Sequence, residues 1–491
     1  MLVSRLHAAG DSVSYQTFST ELGSVVTITS TLLGIEDFTM SRKNIKALKI
    51  QQSISSIPGT SILWTDQNGW MLRQVISSPL GDIEAVREEG HAEDAAAIQG
   101  ASLPEESFMR SIAKSNIRLP QERLIDSMQL KIIHKRPDLG WPQLEADNQH
   151  VIEKTANYVV LEIRRLEPES AGARPMAVRP DLEAYLAPSV LLQSDDANIQ
   201  KIASEVVGND NDAWSAARKL QQWTNENMQF DAGIAVAPAS EVARNRRGTC
   251  FGYSMLLGSL LRAAGIPSRL RMGYVYAGGI WGGHAWIDAQ IAGRWIPIDG
   301  ALYSPGAADA ARFSVFTSSL EDGTLAGMGA LGQLFGNVEI KILSYSVRGK
   351  TVAVPENSTP FTVRGDKYEN PWLGLSIRKP GSFRFDDLDS TWPDTTVLAM
   401  RGQRGELVQI KDLSASLPSG VFDAQKEFAG EGVIGTKSAI KIAGHTAEMQ
   451  FSLQKAAAIL QTRGDVWEFI AFGPHAEGML KSAVSSVRIE R

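Results

Sequence analysis

Residues Arg246 to Ala301 read RRGTCFGYSMLLGSLLRAAGIPSRLRMGYVYAGGIWGGHAWIDAQIAGRWIPIDGA, and they contain the only cysteine in 491 residues. After Cys250, the apolar residues Tyr253, Leu256, Leu257, Leu260, Leu261 and Ala264 recur at helical spacing, so the stretch predicts a helix with one buried face. Stop signals follow in order: Arg262 in the last turn, Gly265 as a left-handed cap and Pro267 two residues on. Cys250 therefore falls in the first turn, where unpaired backbone N–H groups and the helix dipole favour a thiolate over a thiol.

Its partner is sought in His284-Ala285-Trp286-Ile287-Asp288-Ala289-Gln290-Ile291, whose alternation predicts a half-buried strand. Ala292-Gly293 supplies a turn, and Arg294-Trp295-Ile296-Pro297-Ile298-Asp299 reads as the returning strand. A two-residue turn sets Ile291 opposite Arg294 and Trp286 opposite Asp299. Asp299 is then diagonal to His284 on one sheet face, at a Cβ separation of about 7 Å or less. A slip of one residue would send it to the other face. Cysteine at a helix start, histidine on a strand and an acid on the next strand are the nucleophile, base and orienter of covalent acyl transfer.

The ordered set Gly248-Thr249-Cys250, Leu261-Arg262-Ala263-Ala264-Gly265-Ile266-Pro267-Ser268-Arg269, Gly273-Tyr274, His284-Ala285-Trp286 and Trp295-Ile296-Pro297-Ile298-Asp299 resembles the core of the transglutaminase-like superfamily, over roughly Leu191 to Val347. The resemblance implies an α+β, papain-like core in which the cysteine-bearing helix packs on an antiparallel sheet, with Cys250, His284 and Asp299 as the catalytic residues. It implies a peptide or protein substrate and leaves the reaction open among peptidase or amidase hydrolysis, amine-transferring cross-linking and a non-catalytic scaffold. Hydrolysis is favoured, since nothing in the sequence reports the exclusion of water that a transferase needs. The backbone N–H of Cys250 is the natural oxyanion donor, and Gln222, Trp223 and Gln229 are candidates for the second. Trp281, between Gly278-Gly279 and Gly282-Gly283, reads equally as a groove wall or a hydrophobic plug.

Outward from this core, length suggests about three domains. Residues 1–166 carry strand-like runs such as 24–29, 45–50, 70–75 and 158–163, giving a mostly β domain with one helical excursion near Ser107 to Asn116. Prolines 168, 175, 180 and 188 mark a linker, and amphipathic helices around Ile199–Val207 and Trp214–Trp223 open the catalytic domain, 189–347. Arg244, Arg246 and Arg247 read as a solvated basic loop, and Leu325–Gly332 as Gly/Ala-rich packing or loop. A second linker, Arg348 to Pro371, leads to a small α+β accessory module, 366–491, with strands at 442–449 and 466–472 and a helix at His475 to Val484; it weakly resembles PsbP-like domains.

A net charge of −6 gives no basic patch for nucleic acid, and a single cysteine rules out an intrachain disulfide or cysteine-rich zinc site. No cofactor or metal is expected. His91 sits among Glu88, Glu89, Glu93 and Asp94 and reads as a solvated loop rather than a metal site. No 18-residue apolar window predicts a transmembrane segment. Residues 1–30 lack a secretory pattern, although the resemblance points to bacterial proteins that are exported.

Overall fold

The computed structural model describes residues 5–19, 24–40, 43–54, 57–78, 81–87, 112–176, 179–231, 237–321, 329–387, 395–414, 422–462 and 465–490. His91 and its acidic neighbours lie outside the described residues.

The chain is α+β with antiparallel sheets throughout its larger layers. It opens with a six-stranded meander in sequential order: β1 (Ser12–Ser19), β2 (Ser24–Met40), β3 (Lys43–Ile54), β4 (Ile57–Thr65), β5 (Met71–Ser78) and β6 (Gly81–Val86). Alternation within these strands feeds two small apolar clusters, one around Leu32, Leu48 and Ile50 and one around Ala47, Trp64 and Leu72. The helix expected near Ser107 to Asn116 is not formed in its described part. Ala113–Lys114 is instead a short strand, β7, that pairs with Ile280 and Trp281.

Four helices build one side of the main core: α1 (Ala197–Val207), α2 (Ala213–Asn227), α3 (Ala239–Asn245) and α4 (Cys250–Ala263). Asp196 and Asp212 cap the first two by accepting from backbone N–H groups. Helix α4 departs from expectation in being buried on nearly all sides, from Phe251 to Arg262. Its only charge is Arg262, and a helix apolar all round is a central one, here wrapped by the other three helices and by the sheet. Gly265, at φ 75°, ends it as the sequence predicts.

That sheet is ordered β15-β14-β13-β16, where β13 is Ser268–Ala277, β14 Ile280–Ile291, β15 Arg294–Ile298 and β16 Arg312–Ser318. On β14 the apolar residues Ala285, Ile287, Ala289 and Ile291 share one face, and Ile287 meets α4 at Gly258. The expectation of a half-buried strand fails, because residues 284–291 are all buried. A second, five-stranded sheet and its loops meet this one, as where Gln149 Nε2 donates to the Ser314 carbonyl at 2.9 Å and Arg271 Nη1 to Asn148 Oδ1 at 2.7 Å.

That second sheet runs β18-β17-β8-β10-β9, from β8 (Ile125–His134), β9 (Gln149–Lys154), β10 (Tyr158–Arg164), β17 (Val338–Val347) and β18 (Lys350–Ala353). It joins residues on both sides of the boundaries expected at 166 and 347, and a single apolar cluster extends from Ala113 to Val354. Its strands β8 and β10 alternate buried and mostly half-buried residues because one face lies on the core. Arg348-Gly349, at φ 51° and 75°, is the turn of the β17–β18 hairpin rather than the start of a linker.

Seven antiparallel strands between Arg384 and Phe472 form a sheet backed by the helix Ala476–Val484, and a four-stranded sheet adjoins it. The strand expected at 442–449 is broken at Ala443-Gly444, a two-residue turn with φ 49° and 84° that makes Ile442 and His445 a closing pair. No helix among the described residues is long and apolar enough to cross a membrane.

Candidate active site

Cys250 is the first residue of α4, behind Thr249 in extended conformation. The preceding Gly248 ends β12 (Arg247–Gly248), which pairs in parallel with β11 (Gln229–Phe230), and Asp231 N–H donates to the Gly248 carbonyl at 3.0 Å. Of the three arginines expected in a solvated loop, Arg247 pairs with Asp231 at 3.2 Å, Arg244 is exposed, and Arg246 stacks on Trp223 at 4.3 Å. Arg246 adopts a left-handed backbone and ends α3.

The hairpin register is the one read from the sequence: Ile291 pairs with Arg294 and Ile287 with Ile298. His284 and Asp299 consequently share the polar sheet face, with His284 Nε2 2.8 Å from Asp299 Oδ2. Asp299 Oδ1 accepts from the N–H groups of Ala301 and Leu302 at 2.9 and 3.0 Å. Helix α2 holds the same loop, through Gln221 Nε2 to the Asp299 carbonyl at 3.2 Å and Asn225 Nδ2 to the Gly300 carbonyl at 3.1 Å. The imidazole stacks on Trp286, with centroids 6.1 Å apart and planes at 19°.

Both partners of the His284–Asp299 contact are buried, whereas Cys250 is half-buried. Burial opposes ionisation of all three. It pushes the Cys250 thiol up, but the hydrogen bond and charge of His284 and the Ala285 N–H outweigh it, so the thiol lies below its ordinary value. Burial would lower His284, yet the charge of Asp299, their hydrogen bond and Cys250 raise it to about 9. Asp299 is likewise held well below the usual carboxylate range, against burial, by His284 and Arg312. The three together favour a thiolate–imidazolium pair backed by a carboxylate.

Arg312, Asp309 and Arg123 are the site-region residues that sequence reasoning missed. Arg312 Nη1 donates to Asp299 Oδ2, and its Nη2 donates to Asp309 Oδ2 at 2.7 Å. Asp309 and Arg312 flank Ala310-Ala311 within the otherwise apolar stretch Ala307 to Phe313, and charges inside an apolar run are the signal that could have flagged them.

Among the second-donor candidates, Gln222 is exposed and donates to Glu226 at 2.8 Å, and Trp223 lies against Arg246. Gln229 is exposed on the two-residue strand beside Arg247. Trp281 is fully buried against Tyr276 and Phe313, which makes it a plug rather than a groove wall. Asp288, the acid on β14, is taken by Arg269 at 2.8 Å. Among the described residues, Glu427, Glu431 and Glu468 cluster closely enough to hold a metal, but Lys411 and Lys455 reach into the same group.

Residues 200–300 match the sequence profile of the transglutaminase-like superfamily, so the centre of the chain is a transglutaminase-like domain. Among solved structures, a candidate cysteine protease from Cytophaga hutchinsonii is 18% identical, covering 49% of this chain and 91% of its own, with a TM-score of 0.31. The periplasmic domain of TgpA from Pseudomonas aeruginosa is 17% identical over 36% of this chain and 74% of its own, with a TM-score of 0.27. The cyanobacterial PsbP of Synechocystis sp. PCC 6803 is 13% identical over 25% of this chain and 91% of its own, with a TM-score of 0.20. These likenesses are partial, and the assignment rests on the superfamily match. No curated protein matches the chain at a significant level.

Proposed function

We propose that the protein is a cysteine hydrolase of peptide or carboxamide substrates. The Cys250 thiolate attacks the substrate carbonyl carbon, and the oxyanion that forms takes a hydrogen bond from the Cys250 backbone N–H. Since His284 Nε2 is engaged by Asp299, its Nδ1 is the nitrogen left to serve the thiol and the leaving group. That proton passes to the leaving amine as the C–N bond breaks, leaving a thioester on Cys250. Water then gives its proton to His284 and its oxygen to the carbonyl carbon, and the thiolate departs with the acid released. Asp299 orients the ring and stabilises its charged form.

The observation that carries this reading is the buried 2.8 Å contact between His284 and Asp299, on the ring whose hydrogen bond and charge lower the Cys250 thiol. Cys250 is half-buried rather than sealed, and we take water rather than an amine as the acceptor of its acyl group. The test is incubation with a peptide library and a labelled primary amine, read by mass spectrometry, with Cys250→Ala as control. Cleavage or deamidation without amine incorporation is expected. Dominant amine incorporation would make the protein a cross-linker, and no product together with equal iodoacetamide rates in wild type and His284→Ala would leave a scaffold.

A further inference from the structure

The charges behind His284 continue well past the triad. Asp299 Oδ2 accepts both His284 Nε2 and Arg312 Nη1, so imidazole and guanidinium share one oxygen. Asp309 Oδ2 in turn accepts from Arg312 Nη2 at 2.7 Å, Ser304 Oγ at 2.9 Å and Arg123 Nη1 at 3.0 Å. Arg123 is also bonded to the Tyr276 carbonyl and lies 3.6 Å from Glu122. Every member from Arg123 to Asp299 is 5% exposed or less. Buried charges are costly unless countered, and here they alternate in sign from Arg123 through Asp309, Arg312 and Asp299 to His284.

This arrangement bears on the chemistry in two ways. All four acceptor positions of the Asp299 carboxylate are taken, two by backbone N–H groups on Oδ1 and two by His284 and Arg312 on Oδ2, so the group is fixed in rotation. The guanidinium also opposes the imidazolium across the oxygen they share. An unopposed carboxylate would raise His284 further and make it a poorer proton donor to the leaving group. The remaining charged or titratable groups about His284 are Cys250 on α4 and, further along the same sheet face, Asp288 with Arg269 and Arg271 of β13.

Resting on the Cys250–His284–Asp299 reading, we infer that Arg312 is a positioning residue of the site: it fixes Asp299 toward His284 and moderates the basicity of the ring, with Asp309 and Arg123 as its backing. All three lie outside the 200–300 superfamily match, so the acid is gripped from segments that flank the domain.

The test follows the pH dependence of Cys250 alkylation by iodoacetamide in the full chain. With a single cysteine, thiolate ultraviolet absorbance gives a second readout. The wild type should show two inflections, thiolate formation at low pH and loss of the imidazolium proton at high pH. Arg312→Gln removes a positive charge, so both inflections should move to higher pH, the second by about one unit. Arg312→Lys should leave both in place while slowing turnover, since charge is kept and the two-pronged grip is lost.

Because Arg312→Gln can fail to fold, Arg312→Gln/Asp309→Asn, which removes opposite charges together, should show a shift in the same direction, smaller because loss of the more distant Asp309 charge offsets part of it. Inflections that coincide with wild type in the folded Gln variants would overturn the inference, as would failure of all three variants to fold, which would make the role structural only. A wild type with one ordinary thiol inflection, insensitive to His284→Ala, would instead refute the triad reading on which the inference stands.

Discussion

Gly273 offers the sharpest test of how closely the strands around the site are packed. It pairs with His284 on one side and with Ser314 on the other, next to a bulge in the β13–β16 ladder. A Cβ added there would lie 2.0 Å from the Phe313 carbonyl oxygen and 2.7 Å from Ser314 Cα, both backbone atoms that cannot swing aside. Relief requires β16 to retreat by about 1 Å, at a cost of about 1–3 kcal/mol or more for overpacking. Since β16 begins at Arg312, the retreat draws the guanidinium from Asp299. Gly273→Ala should therefore lower the melting temperature of the unit by roughly 4–10 °C and slow alkylation of Cys250 at pH 6. Gly282→Ala is the control, two residues from His284, where an added Cβ meets nothing within 4 Å. It should be neutral in both assays. If Gly273→Ala matches wild type as Gly282→Ala does, the close approach of β16 to β13 is wrong.

Asp299→Asn should shift the alkaline limb of kcat/KM to lower pH and reduce its maximum, by roughly 10- to 10⁴-fold; a profile superimposable on wild type would exclude Asp299 as the orienting acid. The raised His284 should also register in stability. Its contribution is fully present below about 6.5, its unfolded value, and is lost as pH rises through about 9, so the wild-type advantage over His284→Ala in thermal unfolding should be larger at pH 6 than at pH 10. An advantage independent of pH would contradict that assignment. A fragment of residues 112–354 should fold and keep thiol reactivity, whereas 189–347 lacks the covering strands β8 to β10 and Arg123 and should expose core surface, measured by dye binding and alkylation rate. Equal behaviour of the two fragments would show the second sheet to be dispensable.

What could be read in the sequence was local. The start of α4 at Cys250, its end at Gly265 and the hairpin that sets Asp299 diagonal to His284 all follow from spacing and turn length, and these are short-range signals. The burial of β14 on both faces was not legible. Polar or aromatic residues at 284, 286, 288 and 290 suggested an open face, but the partners of His284 and Asp288 come from other segments, Asp299 for the first and Arg269 for the second. The second sheet was hidden for the same reason: β8 and β17 are ordinary alternating strands, and nothing local says that they pair across 200 residues. Arg123 and Arg312 belong to the same category, each a single charge whose partner is set by tertiary contact.

The sheet that spans the catalytic core in sequence also fixes an order of events. β8 is translated early, yet its neighbour β17 ends at Val347, and Asn116 waits for the backbone of Ile342 to satisfy both ends of its amide. Pairings this distant close late, after the local hairpins and helices have formed. On the ribosome, Cys250 and its helix therefore emerge well before the strands that cover the adjoining sheet can be completed, and the interval is an opening for misassembly or for a chaperone to act. Release of residue 347 is the step that lets the thiol's surroundings become final.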